Sequence, residues 1–155
     1  MNVNQKGKGL DIFETPDFIY RQLNRKFCFT LDAACSTENC KSKKGAYIDK
    51  GINGLNLSWR GERVFCNPPF SEKAKWIEKA SNEVLENGCE TCVMILPVNS
   101  MDSAPWHDFI YGNFHYDILK SRISFIDPET GSPKKGNNSG TVIVYFWRKI
   151  STHDN

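Results

Sequence analysis

The residues of this chain best suited to chemistry are Asn67-Pro68-Pro69-Phe70. Proline has no backbone N–H and a fixed φ, so two in succession leave rigid carbonyls that can only accept hydrogen bonds. An amide side chain, fixed carbonyl acceptors and an aromatic ring together suit a planar group that carries an exocyclic amine. The amine donates to the oxygens and the ring stacks on the plane. The same residues also fit a Pro-Pro turn with Phe70 packed in the core. The elements around them bear on the choice.

Arg63 to Cys66 is a short apolar run that reads as a buried strand, and Ser71 is a suitable N-cap for the helix that follows. That helix is expected over Glu72 to Asn87, with Trp76 or Ile77, Ala80, Val84 and Leu85 on one side and Gly88 past its end. The motif then lies in the loop after a strand, where open α/β sheets bind ligands. Upstream, Thr15-Pro16-Asp17 reads as N-cap, first-position proline and acidic first turn of a short helix. Phe18, Ile19, Leu23 and Phe27 supply that helix with a buried side. Phe29 to Asp32 and Ala46 to Asp49 read as strands that each end in an acid. Thr91 to Leu96 is a continuous apolar run, as in a central parallel strand. A helix over Ser103 to Tyr111, a strand or two within Asp117 to Phe125, a polar loop over Asp127 to Gly140 and a last strand over Thr141 to Trp147 complete the chain. Strands alternating with helices predict an α/β fold with a mainly parallel sheet, its last pair antiparallel because a loop joins it. One domain is expected over residues 11–150, between flexible ends at 1–10 and 151–155.

The chain has 155 residues, 39% hydrophobic and 25% charged, with a net charge of +2. That composition suits a globular domain with one sizeable core and excludes a strongly basic body, so any nucleic-acid contact falls to local patches. Met1 to Gly9 lacks the apolar segment of a secretory signal, and no run is long enough to span a bilayer. The six cysteines include Cys89-Glu90-Thr91-Cys92, with the spacing of a zinc knuckle, and the pair Cys35 and Cys40. A structural zinc site needs four ligands, and no convincing second pair accompanies Cys89 and Cys92. Reduced, packed cysteines, no metal and a cytoplasmic setting are expected.

Three loops are expected at the C-terminal edge of the sheet. The first carries Asp32-Ala33-Ala34-Cys35, whose small side chains admit a ligand close to the backbone. The second carries Asp49, seventeen positions after Asp32. An acid at about that distance accepts from ribose hydroxyls in dinucleotide-type folds. A helix cap or a solvated loop position is the alternative for either acid. The third loop carries Asn67.

Phe13-Glu14-Thr15-Pro16, Leu31-Asp32-Ala33-Ala34-Cys35 and Asn67-Pro68-Pro69-Phe70 occur in this order. So do Asn53-Gly54-Leu55 with Trp59, Trp76, Lys79-Ala80, Leu96-Pro97, Trp106-His107 and Arg122-Ile123-Ser124-Phe125. From about Asp11 to Trp147 the chain resembles the small phage-type DNA N6-adenine methyltransferases that use S-adenosylmethionine. The resemblance implies a Rossmann-like methyltransferase fold, trimmed because Asp32 to Arg63 is too short for two full helix–strand units. It implies a catalytic set of Asn67, Pro68, Pro69 and Phe70. It implies cofactor contacts from Phe13, Thr15, Pro16, Asp32, Ala33, Ala34, Cys35, Asp49 and Asn67. Asn53 departs from the pattern, since many relatives carry an acid there. A role in protecting phage DNA from host restriction, and a bacterial host cytosol, also follow from the resemblance alone.

DNA is the expected partner, touched by Lys73, Lys75, Ser100, Arg122, Lys134 and Lys135; the oligomeric state and the target sequence are left open. For each lysine a solvated surface charge is the alternative. Methylation of a protein glutamine, methylation of cytosine N4, and a non-catalytic nucleic-acid-binding remnant of the fold are the rival functions.

Overall fold

The apolar run at 91–97 is the central strand of a six-stranded sheet. A computed structural model of the chain describes residues 14–127, 129–133 and 139–149. The ends expected to be flexible, and Phe13, Lys134 and Lys135, lie outside them. The strands are β1 (Leu31–Cys35), β2 (Lys44–Tyr47), β3 (Arg63–Cys66), β4 (Thr91–Pro97), β5 (His115–Ile118) and β6 (Thr141–Trp147), in the order β2-β1-β3-β4-β6-β5. The first four are mutually parallel, and β6 is antiparallel to both β4 and β5. The mainly parallel sheet with an antiparallel last strand is therefore as the sequence implies.

Period-two alternation splits β4 between two cores. Cys92, Met94 and Leu96 pack under helix α2 (Lys73–Glu86) with Trp76, Ile77, Ala80 and Val84. Val93 and Ile95 pack under helix α1 (Asp17–Phe27) with Ile19, Tyr20 and Leu23. Past the end of α2, Gly88 has φ +79, a backbone state that glycine adopts without a Cβ penalty.

Several local expectations change. Phe18 is 63% exposed, so the buried stripe of α1 is Ile19, Tyr20 and Leu23. Thr15 does not cap α1; Pro16 precedes the helix with ψ 137 and no side chain caps it. Ser71 lies within a 3-10 turn (Phe70–Glu72), and α2 starts only at Lys73. Asp32 does not end its strand but is the second residue of β1. Asp49 falls in a 3-10 turn (Ile48–Lys50) beyond β2. The helix expected over Ser103 to Tyr111 is mainly one π-helical turn (Trp106–Ile110). After β5 the chain forms no regular element up to Ile126, which bridges to Glu14 in antiparallel fashion. Among the described residues, no helix is long and apolar enough to cross a membrane.

Candidate active site at the β1–β3 edge

From β1 the chain moves outward to β2 and then crosses back past β1 to β3. The strand order reverses between β1 and β3, and at such a switch point the two C-terminal ends diverge and open a crevice. Ala33, Ala34 and Cys35 close β1 on one side of it, and Asn67 follows β3 on the other.

The Asn67 side chain is oriented by a residue distant in sequence. Its Nδ2 donates to Thr15 Oγ1 at 2.9 Å. Thr15 is 2% exposed and is held at this edge by the two backbone hydrogen bonds between Glu14 and Ile126, both 2.9–3.0 Å. With the amide nitrogen on Thr15, the carbonyl end of Asn67 is turned the other way. Pro68 and Pro69 are buried, and Phe70 is half-buried with its ring edge-on to Phe125 at 6.1 Å. Phe70 thus reaches the second core while keeping part of its surface open.

Beside Asn67 lies a pocket with a floor of small residues, Ala33, Ala34, Ala46 and Gly54. A Cβ at Gly54 would run into the Ala33 carbonyl oxygen, so this cradle exists only with glycine there. Ile48 and Ile52, both exposed hydrophobics, supply apolar lining. The Asn53 Oδ1 accepts from Leu55 N at 3.0 Å, which fixes its amide and makes Nδ2 the group it offers to a ligand. Trp76 also lines the pocket; it is 2% exposed and stacks on Trp59, yet its Nε1 has no hydrogen-bond partner. A buried donor left unpaired costs about 1–3 kcal/mol, and a bound acceptor removes that cost.

Asp32 is 2% exposed. Its carboxylate accepts from Ala34 N at 3.3 Å and Lys41 N at 3.0 Å. Burial raises its pKa to about 6, against the downward pull of those two N–H groups and of the Lys41 charge. Lys41 Nζ itself bonds Glu14 at 3.0 Å and Asp17 at 2.6 Å, tying the loop after β1 to the segment that carries Thr15. Asp49 is exposed and accepts from Thr37 N at 2.9 Å and Thr37 Oγ1 at 2.5 Å, which lowers its pKa. It orders the β1–β2 loop, and it is Ile48 and Ile52 on either side of it that line the pocket.

Burial pushes the thiols of Cys35, Cys66 and Cys92 up, away from thiolate. Ligand atoms of Asp32, Cys35 and Cys40 lie within 4.8 Å of one another, a group of three where a closed structural site wants four. Of the residues expected to touch DNA, Lys73 is half-buried, Lys75 is exposed beside Glu72, and Arg122 is exposed. Ser100 is 0% exposed, so its hydroxyl does not reach the surface as expected. The sequence offers the pocket residues Ala46 and Ile48 only as members of a strand, and it offers no signal for Ile52, which follows a short turn.

A family model described as DNA N-6-adenine-methyltransferase (Dam) matches residues 2–154. A DNA N-6-adenine-methyltransferase of Haemophilus phage HP1 (strain HP1c1) is 32% identical over 148 residues, which cover 92% of this chain and 82% of the relative. Another, of Escherichia phage T1, is 28% identical over 151 residues, covering 86% of this chain and 61% of the relative.

Proposed function

Since this chain belongs to the DNA N-6-adenine-methyltransferase (Dam) family, we propose that the edge between β1 and β3 transfers a methyl group from S-adenosylmethionine to the N6 amine of adenine in DNA. The observation that supports this reading is the 2.9 Å bond from Asn67 Nδ2 to Thr15 Oγ1, which sets the orientation of the amide at the end of β3. The small residues beside it support the cofactor reading, because Gly54 lies so close to the Ala33 carbonyl oxygen that a Cβ would collide with it. Ala33, Ala34, Asn53, Gly54 and Trp76 would hold the cofactor. When bound, the cofactor supplies an electrophilic methyl on a sulfonium.

An adenine amine is a poor nucleophile because its lone pair is delocalised into the ring. Asn67 Oδ1 and the Pro68 carbonyl accept its two hydrogens and favour a tetrahedral nitrogen with the lone pair directed outward. Both bonds strengthen as positive charge develops, so they act on the transition state more than on the bound substrate. Phe70 stacks on the extruded base and offsets part of the cost of unpairing it, base–aromatic stacking being worth about 1–3 kcal/mol. Thr15 acts through Asn67 as a positioning residue. Lys73, Lys75 and Arg122 face the DNA backbone.

The test is transfer of labelled methyl to unmethylated DNA, with nucleosides separated afterwards. Label is expected in N6-methyladenine, and Asn67→Ala should lower kcat on the order of 100- to 1,000-fold while binding of S-adenosylhomocysteine persists. Label in cytosine or in protein, or near wild-type transfer by Asn67→Ala, would overturn the assignment.

A further inference from the structure

A second concavity lies on the α1 face of the sheet, between the first turns of α1 and the segment after β5. Its volume is about 560 Å³, and its floor includes Ile19, Leu23 and Ile143. Its rim carries Phe18 and Gln22 from α1 and Lys120, Ser121 and Arg122 from the segment after β5, and among the described residues no acidic one lines it. The groove runs into the site. Pro16, next to Thr15, lines it, as do Ile123, Ser124 and Ile126 around Phe125, whose ring meets Phe70. Phe18 is the most exposed large hydrophobic of the described residues, at 63%. Its ring lines the groove and is not covered by a core.

We propose that this groove takes the DNA strand next to the extruded adenine, with a neighbouring base stacked on Phe18 and phosphates on Lys120 and Arg122. The proposal rests on the methyl-transfer reading of the adjoining site and adds to it the path of the strand. Aromatic rings interleaved with cations are the recognition chemistry of unpaired nucleic acid, since every base has a π face and every nucleotide a charge. The lining, acid-free among the described residues, matches that charge. The continuity with Phe70 through Phe125 puts the groove one short step from the base that must leave the helix.

The experiment measures fluorescence anisotropy of a fluorescent, adenine-containing duplex, with S-adenosylhomocysteine bound. Phe18→Ala should weaken DNA binding roughly 5- to 150-fold, the span that about 1–3 kcal/mol of stacking represents. Phe18→Leu should behave as Ala and Phe18→Trp as wild type, because stacking needs a π face and simple burial does not. Lys120→Ala should flatten the dependence of log Kd on log salt concentration by about 0.9. Melting temperature and S-adenosylhomocysteine affinity, measured on each variant, should stay at wild-type values. Equal DNA affinity for wild type and Phe18→Leu would overturn the groove, and wild-type methyl transfer to the same duplex, assayed alongside, would show that the site's own reaction survives that result. An unlabelled product from the wild type would bring down the methyl-transfer reading instead.

Discussion

Asp32 should make the stability of the protein depend on pH in a direction opposite to that of an ordinary ion-paired carboxylate. The residue is 2% exposed, and burial lifts its pKa from 3.8 to about 6. In the unfolded chain it titrates near the ordinary value, so between those two points the folded state binds more protons than the unfolded one, and stability falls as pH rises. The contribution is complete below about pH 3.8 and lost once pH passes about 6. A shift of about two units corresponds to about 3 kcal/mol, of which about 2 kcal/mol falls between pH 4.5 and 7.5. Asp17, Glu62 and Glu83 have lowered pKa values and act with the opposite sign, so the wild-type curve alone would mix the effects. The difference between wild type and Asp32→Asn removes them, provided the sites are independent. Asn keeps one acceptor for Ala34 N or Lys41 N and loses the other, a cost that does not vary with pH. Urea unfolding of both proteins at each pH gives the difference directly. Relative to Asp32→Asn, the wild type should be about 2 kcal/mol better placed at pH 4.5 than at pH 7.5. A difference that stays flat within about 0.5 kcal/mol, or that slopes the other way, would refute the claim that burial dominates the Asp32 environment.

The loop that carries Asn67 is legible in the sequence because its signals are local. Two prolines, an apolar run before them and an amphipathic run after them act within a few residues, and the continuous apolar run over Thr91 to Leu96 reads as a strand buried on both faces. What stayed hidden depends on partners far along the chain. Thr15-Pro16-Asp17 matches a helix start so well that the hydroxyl reads as a cap, whereas its actual partner is Asn67, 52 residues on. Asp32 reads as a strand end because a charge seldom sits inside a parallel strand. β1 nevertheless continues through Ala33 to Cys35, since Lys41 N and Ala34 N return to satisfy the carboxylate. Phe18 fits the apolar stripe of α1 by spacing alone, and only the position of the segment after β5 decides that it faces a groove. Asp49 was singled out for its charge, while the adjacent Ile48 and Ile52, without charge or period, line the pocket.

Two further substitutions separate positioning from binding. Thr15→Val keeps the shape of a side chain that is 2% exposed but removes the acceptor for Asn67 Nδ2, so the amide loses its fixed orientation. Its kcat should fall about tenfold, the worth of about 1.4 kcal/mol, with KM for DNA little changed and activity restored in Thr15→Ser; an unchanged kcat would show that Asn67 is oriented by something else. Trp76→Phe tests whether the buried, unpartnered Nε1 serves a ligand in the pocket that the Trp76 ring lines. The unpaired Nε1 is a burden on the empty protein, so its removal offsets part of the packing lost against Trp59, and the melting temperature without cofactor should change little. Once an acceptor occupies the pocket, the same N–H becomes a hydrogen bond worth about 0.5–1.5 kcal/mol, so S-adenosylhomocysteine should bind about 2- to 12-fold more weakly to the variant by calorimetry. A loss of stability without a loss of affinity would mean that Trp76 serves the core alone and that the cofactor meets the pocket through Ala33, Ala34 and Asn53.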